Sequence, residues 1–195
     1  MNDYSTVNIL DMIDAIGEDA LVEILSDFSC PKNQEIESFV RNKAIDFAKR
    51  KISITYLVID NDSGEILSIF ALTHKALEIS RDALSSTSKK KLSRFAQLDE
   101  NSGSYTVSAF LIAQFGKNYA VPQPEGWNGI RLMEKTFETL EKVQREIGGG
   151  VVYLECEEHE QLLRFYQNEQ NRFHTFSERY SEAEHTKYIQ LLRFF

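Results

Sequence analysis

Hydrophobic positions along this chain change period several times, and each change predicts an element. Ile9, Leu10, Met12 and Ile13, then Ala20, Leu21, Ile24 and Leu25, recur at helical spacing on either side of Gly17 and predict two short helices. Helices this short are not stable alone, so their apolar faces must pack on the rest of the domain or on a second copy of the chain, as in a homodimer. After Pro31, residues 33–50 carry Ile36, Phe39, Val40, Ala44, Ile45 and Phe47 on one broad stripe, which reads as a single helix with Asn33 as its N-cap. The period then shortens. Ile52 to Ile59 and Glu65 to Ile79 are rich in β-branched and aromatic residues around the turn Asn61-Asp62-Ser63-Gly64, the pattern of an antiparallel hairpin.

A helix through Lys89 to Phe95 comes next, then a strand from Tyr105 to Gly116 whose apolar run Val107 to Ala113 suits a central position. Ile130, Leu132, Met133, Thr136, Phe137, Leu140 and Val143 return to helical spacing between Gly129 and Ile147, and Gly148-Gly149-Gly150 ends that helix. Val151 to Cys156 reads as a buried strand, Glu158 to Asn168 as a helix, and Phe173 to Tyr180 with Lys187 to Phe195 as a strand pair. The expected architecture is one α/β domain over residues 1–195: a mixed, mostly antiparallel sheet flanked by helices, with residues 1–26 as a helical N-terminal extension.

Composition narrows the function classes. A formal charge of -8 argues against a general nucleic-acid binder, which needs a surplus of Lys and Arg. The basic run Lys89-Lys90-Lys91 with Arg94 reads as a solvated helix face. Met1 to Asp11 has neither the basic start nor the apolar run of a signal peptide, and apolar runs are too short to span a bilayer, so the expected location is the cytoplasm, with no membrane partner. Cys30 and Cys156 lack disulfide or Cys-x-x-Cys spacing and read as buried thiols. His74, His159, His174 and His185 are scattered without metal-site spacing, and no metal is expected.

Candidate chemistry centres on Phe110 to Asn118 and the Pro/Gly-containing loop leading to the helix at Gly129. A strand that ends in a loop feeding a helix N-terminus offers backbone N–H groups and a positive dipole end to an anion such as a pyrophosphate. Gly126 and Gly129 allow close backbone approach, and Arg131 and Lys135 add positive charge on the first turns.

Three segments resemble the GNAT superfamily of acetyl-CoA-dependent N-acetyltransferases, in a bacterial branch. Phe28-Ser29-Cys30-Pro31-Lys32-Asn33 with the following helix and Thr55-Tyr56-Leu57-Val58 is similar to that branch's opening helix and first strand. Phe110 to Asn118 with Gly126 to Met133 resembles the signature strand, pyrophosphate loop and helix, and Leu154-Glu155-Cys156 with Leu162-Leu163-Arg164-Phe165-Tyr166 resembles the next strand and helix. The chain departs from the usual Gln/Arg-x-x-Gly-x-Gly/Ala loop: with Gly129 in the final position, Trp127 replaces the middle glycine and Pro124 the leading residue. A usual Gly-Phe ending becomes Asn171-Arg172-Phe173, and His159 stands where an asparagine is usual.

The resemblance implies acetyl-CoA as co-substrate, held by Gln114, Phe115, Gly116 and Lys117 and by Gly126, Trp127, Asn128, Gly129, Ile130 and Arg131. It implies a splay between the strands ending at Lys117 and Cys156, into which the pantetheine slides and pairs with backbone groups of Phe115 and Lys117. Tyr166 is the implied acid for the departing thiolate, although a tyrosine following Leu162, Leu163 and Phe165 also reads as core. Glu155 or Glu157 is the candidate base for an acceptor amine. The expected reaction is acetyl transfer to an amine on a small or peptidic acceptor. The alternatives are a non-enzymatic acetyl-CoA-binding or protein-interaction module on the same scaffold and, ranked lower because of the acidic charge, toxin-like acetylation of aminoacyl-tRNA.

Overall fold

The computed structural model describes residues 4–195. In chain order the elements are β1 (Tyr4–Asn8), α1 (Ile9–Ile16), α2 (Glu18–Ser26), α3 (Gln34–Asn42), α4 (Ala44–Lys49), β2 (Ile54–Asp60) and β3 (Ile66–Ser80). There follow a short 3-10 turn (Arg81–Ala83), α5 (Ser86–Leu92), β4 (Leu98–Asp99), β5 (Ser104–Lys117), α6 (Gly129–Ile147), β6 (Val151–Glu157), α7 (Glu160–Gln167), β7 (His174–Ser181) and β8 (Thr186–Phe194). Among the described residues the sheet has eight strands, ordered β1-β2-β3-β5-β6-β8-β7, with β4 on β5. The β5–β6 pair is parallel and includes Phe110↔Val152 and Leu111↔Tyr153, whereas β1–β2, β2–β3, β6–β8 and β7–β8 are antiparallel. This is the mixed sheet with flanking helices that the periodicity predicts.

The chain divides into two compact units. The first holds the residues up to Thr73 together with Ile112–Thr139. In it Ile9, Leu21, Leu25, Phe28, Val40, Ala44 and Ala48 are almost wholly buried around Leu57, Ile69 and Ala71 of the hairpin. Burying one Leu or Ile side chain contributes about 1.5–3 kcal/mol, so α1 and α2 belong to the core of this unit. The expected helical extension is corrected at its start: Tyr4–Asn8 is a strand paired with β2 in the register Tyr4↔Asp60 to Asn8↔Tyr56. Asn8 ends that strand and caps α1, its Oδ1 accepting from Leu10 N at 2.9 Å.

The single helix expected over residues 33–50 is also two. The backbone of Lys43 leaves the helical region at φ -128 and separates α3 from α4, while the apolar stripe continues through Phe39, Val40, Ala44 and Ala48. Asn33 does cap α3, accepting from Ile36 N at 3.1 Å.

The second unit comprises His74–Leu111 and Leu140–Phe195. Its core joins Ile79, Leu92, Val107, Ala109, Val151, Tyr153, Phe176 and Leu192. Gly149 has φ +103, and a Cβ there would stand 2.8 Å from the Phe110 ring. The glycine run after α6 thus lets the chain turn tightly beside Phe110. Among the described residues no helix is long and apolar enough to cross a membrane.

Candidate functional site

In the first unit, the end of β5 is held by a hub at Asn118, a buried amide. Its Oδ1 accepts from Ser29 N and Ala120 N, both at 3.0 Å, and its Nδ2 donates to Ile66 O at 2.9 Å. Tyr119 N donates to Ser29 O at 2.7 Å, so the Phe28–Asn33 turn and the end of β5 are tied to each other from both sides. Glu37 completes the turn, accepting from Cys30 N at 2.7 Å and Ser29 Oγ at 3.1 Å, with Arg41 at 3.2 Å. These contacts, with the Cys30 backbone first, hold the Glu37 carboxyl below its usual range.

Gly116 is demanded by packing: a Cβ there would lie 2.9 Å from Ile36 of α3. Beside it, burial lowers the pKa of Lys117, and the nearby Lys32 ammonium lowers it further. Neither lysine has a carboxylate partner among the described residues; Lys32 lies 5.3 Å over the Tyr119 ring. Two like charges with one partly desolvated is an arrangement an anion would stabilise.

In the loop before α6, Trp127 is 4% exposed and points into the first unit. Its indole Nε1 donates to Ser68 Oγ at 2.9 Å, and its ring lies 4.6 Å from that of Tyr4. It anchors the loop. Trp127 N donates to Pro124 O at 3.0 Å, closing a turn in which Gly126 takes φ +82. Asn128 then caps α6, its Oδ1 accepting from Ile130 N at 2.9 Å and Arg131 N at 3.2 Å. Arg131 is paired with Glu134 at 2.9 Å and Lys135 with Glu138 at 3.0 Å. A phosphate at this helix start would therefore displace the Asn128 oxygen.

In the second unit β6 carries Glu155 and Cys156. The Glu155 carboxylate accepts from Arg179 at 2.8 Å and Gln190 at 2.6 Å, a pairing invisible in the sequence. Burial and the neighbouring Glu157 push the Cys156 thiol up to about 11, which keeps it protonated at neutral pH. α7 is capped by His159, whose Nδ1 accepts from Gln161 N at 3.3 Å. Tyr166 on this helix is buried, its ring edge-on to Phe165 at 5.0 Å and Phe173 at 6.1 Å. Burial, then the charge at Cys156, raises its phenol well above the usual range, so it keeps its proton throughout the working pH range. The structure thus groups Gln114 to Lys117 with Gly126 to Arg131 in one unit, and Glu155 with Tyr166 in the other. Among the described residues no group of His, Cys, Asp and Glu side chains is arranged to hold a metal ion.

No protein-family model and no curated protein sequence matches the chain. Solved structures do. The structure of AtaT complexed with acetyl-methionyl-tRNAfMet aligns with a TM-score of 0.66 at 18% identity, covering 99% of this chain and 94% of that one. A bacterial toxin aligns with a TM-score of 0.65 at 17% identity, covering 100% and 92%, and a tyrosine-to-phenylalanine mutant of KacT with 0.65 at 15%, covering 98% and 94%. The fold is GNAT-type, as in AtaT and KacT. A tyrosine-to-phenylalanine mutant of the AtaT toxin bound to the C-terminus of the antitoxin AtaR and acetyl-CoA aligns with a TM-score of 0.59 at 14% identity, covering 98% of this chain and 93% of that one. The turn at Phe28 to Asn33, the Asn118 hub and the capped start of α6 together fix the end of β5 and the loop after it.

Proposed function

We propose that this protein transfers the acetyl group of acetyl-CoA to the α-amine of an aminoacyl-tRNA. The observation that carries the reading is the whole-chain likeness to AtaT complexed with acetyl-methionyl-tRNAfMet. This reverses the order of acceptors expected from the formal charge of -8, because net charge constrains the average surface and not a local patch.

The state of Glu155 supports the same choice. A lysine-type amine, with a reference pKa of about 10.4, is neutral in only about one molecule in 2,500 at pH 7, whereas an α-amine near about 7.7–8.0 is already neutral in roughly one in ten and depends less on a base. With its carboxylate engaged by Arg179 and Gln190, Glu155 is left to take a proton through water.

In the reaction the amine nitrogen bonds to the thioester carbonyl carbon, the C–S bond breaks, and the amine gives up a proton as the CoA thiolate gains one. Tyr166 is the proton donor to the thiolate in this reading. The Lys32–Lys117 pair and the start of α6 supply the positive field for the CoA phosphates. By analogy with AtaT and AtaR, a protein partner that docks a chain terminus is a further expectation.

The test is incubation with acetyl-labelled CoA and, in separate reactions, aminoacyl-tRNA, a lysine-containing peptide and small amines. Label on aminoacyl-tRNA is expected. Label on the peptide or small amines alone would overturn the acceptor, and absence of acetyl-CoA binding by calorimetry would leave an interaction module.

Asn128→Asp separates binding from folding. Asp caps a helix about as well as Asn, so the melting temperature should hold, while its charge repels phosphate at the helix start. Acetyl-CoA affinity should fall about tenfold in titration calorimetry. Unchanged affinity would remove this helix start from the binding site.

A further inference from the structure

The second unit contains a basic cavity built from residues that the proposed reaction does not use. We propose that this cavity, about 490 Å³ and lined by Lys91, Arg145, Arg172 and Arg193, binds a phosphate-bearing nucleotide unit. Four cationic side chains line it with one acidic side chain, Glu141, in a chain whose overall charge is -8. They come from α5, the last turn of α6, the turn before β7, and β8, so no one sequence window reveals them.

The cations are held in place at a cost. Arg172 takes φ +54, a left-handed backbone that favours glycine and costs a side-chain-bearing residue about 1 kcal/mol. Its turn is fixed nonetheless: Asn168 Oδ1 accepts from Gln170 N at 2.9 Å and Asn171 N at 2.7 Å, and Arg172 Nε donates to Glu169 O at 2.7 Å. Arg193 Nη1 reaches the same turn, donating to Asn171 O at 3.0 Å. Burial lowers the pKa of Arg193 and the like charge of Arg172 lowers it further, while the Glu141 carboxylate works in the opposite direction. Bound phosphate would relieve the like-charge repulsion through charge-assisted hydrogen bonds.

A nucleotide fits better than a bare anion for two reasons. The cavity volume lies within the range of small-molecule sites, about 300–1,000 Å³. Phe194 on its wall offers a ring face for stacking, already used by Lys91 with Nζ 5.6 Å from the centroid. The inference stands independently of the acetyl-transfer reading, since none of these residues is assigned to it.

The experiment titrates the full chain with ATP and, separately, with a short single-stranded RNA. Arg145→Glu, at an exposed position of α6, and Arg172→Gly are compared with wild type. Wild type should bind at least one probe. Arg145→Glu should weaken that binding about tenfold or more while acetyl-CoA affinity and melting temperature hold. Arg172→Gly should weaken it too, yet raise or preserve the melting temperature because the strain is gone. Binding of RNA but not ATP would mark the source as a strand, and binding of ATP would mark it as a free nucleotide. If neither probe binds below about millimolar concentration, about −4.1 kcal/mol, or if both variants bind like wild type, the proposal fails.

Discussion

Replacing Trp127 with alanine should lower the stability of the protein by about 3–5 kcal/mol, the scale for truncating a buried Trp or Phe. The change leaves a large void beside Tyr4 and strands the hydroxyl of Ser68, which now accepts from the indole at 2.9 Å in a buried setting. Trp127→Gly should cost at least as much. Its interest is that it brings the loop closer to the usual glycine pattern, so loop pattern and stability pull in opposite directions here. Urea unfolding followed by circular dichroism is the suitable measurement, because Trp127 is the chain's one tryptophan and its fluorescence is lost with it. A cost below about 1 kcal/mol would mean that the ring is no anchor.

Tyr166→Phe should reduce acetyl transfer by about 10²-fold or more while leaving acetyl-CoA affinity intact. The substitution keeps the ring that packs on Phe165 and Phe173 and removes only the hydroxyl. Its raised pKa sharpens the expectation: the phenol stays protonated at every working pH, so the proton is always present, but release to a thiolate near about 8.5 is uphill. The residue should therefore act by hydrogen-bonding the thiolate as it forms and passing the proton late. Turnover and binding measured on one preparation decide it. Wild-type turnover would confine Tyr166 to packing, and a stability loss well above about 1 kcal/mol would mean that the hydroxyl serves the core.

The sequence carried most of the element order because packing faces leave a periodic trace. α6 runs from Gly129 to Ile147, the span its apolar spacing and the glycine run define, with Leu132, Met133, Thr136 and Leu140 fully buried. Where the reading failed, the period was silent. Tyr4–Asn8 is half-buried at every position, so β1 has no alternation to detect. The break at Lys43 falls inside a stripe that continues in phase through both helices, so the two read as one.

The candidate site was legible as segments but not as contacts. Gly116 is implied by the resemblance to hold acetyl-CoA, and the sequence does not reveal that a Cβ there would also meet the side chain of Ile36. Trp127 reads from the sequence as the residue replacing the loop's middle glycine, and nothing adjacent in sequence reveals its partners Ser68 and Tyr4. The ties of the Glu155 carboxylate to Arg179 and Gln190 are not visible in the sequence because those partners lie 24 and 35 positions away. Long-range pairing of this kind is decided by the sheet register, which no local window contains.

The two buried cysteines make the protein its own clock for opening. Cys30 lies in the first compact unit and Cys156 in the second, at 3% and 7% exposure, and burial holds both thiols above their usual pKa. Alkylating reagents attack the thiolate, so the folded chain should be almost silent to them at neutral pH. Labelling then counts excursions in which one or the other sulfur meets water, and mass spectrometry of the two cysteine peptides times each unit separately. Equal rates would describe a chain that opens all at once; unequal rates would rank the two halves by how often each lets solvent in.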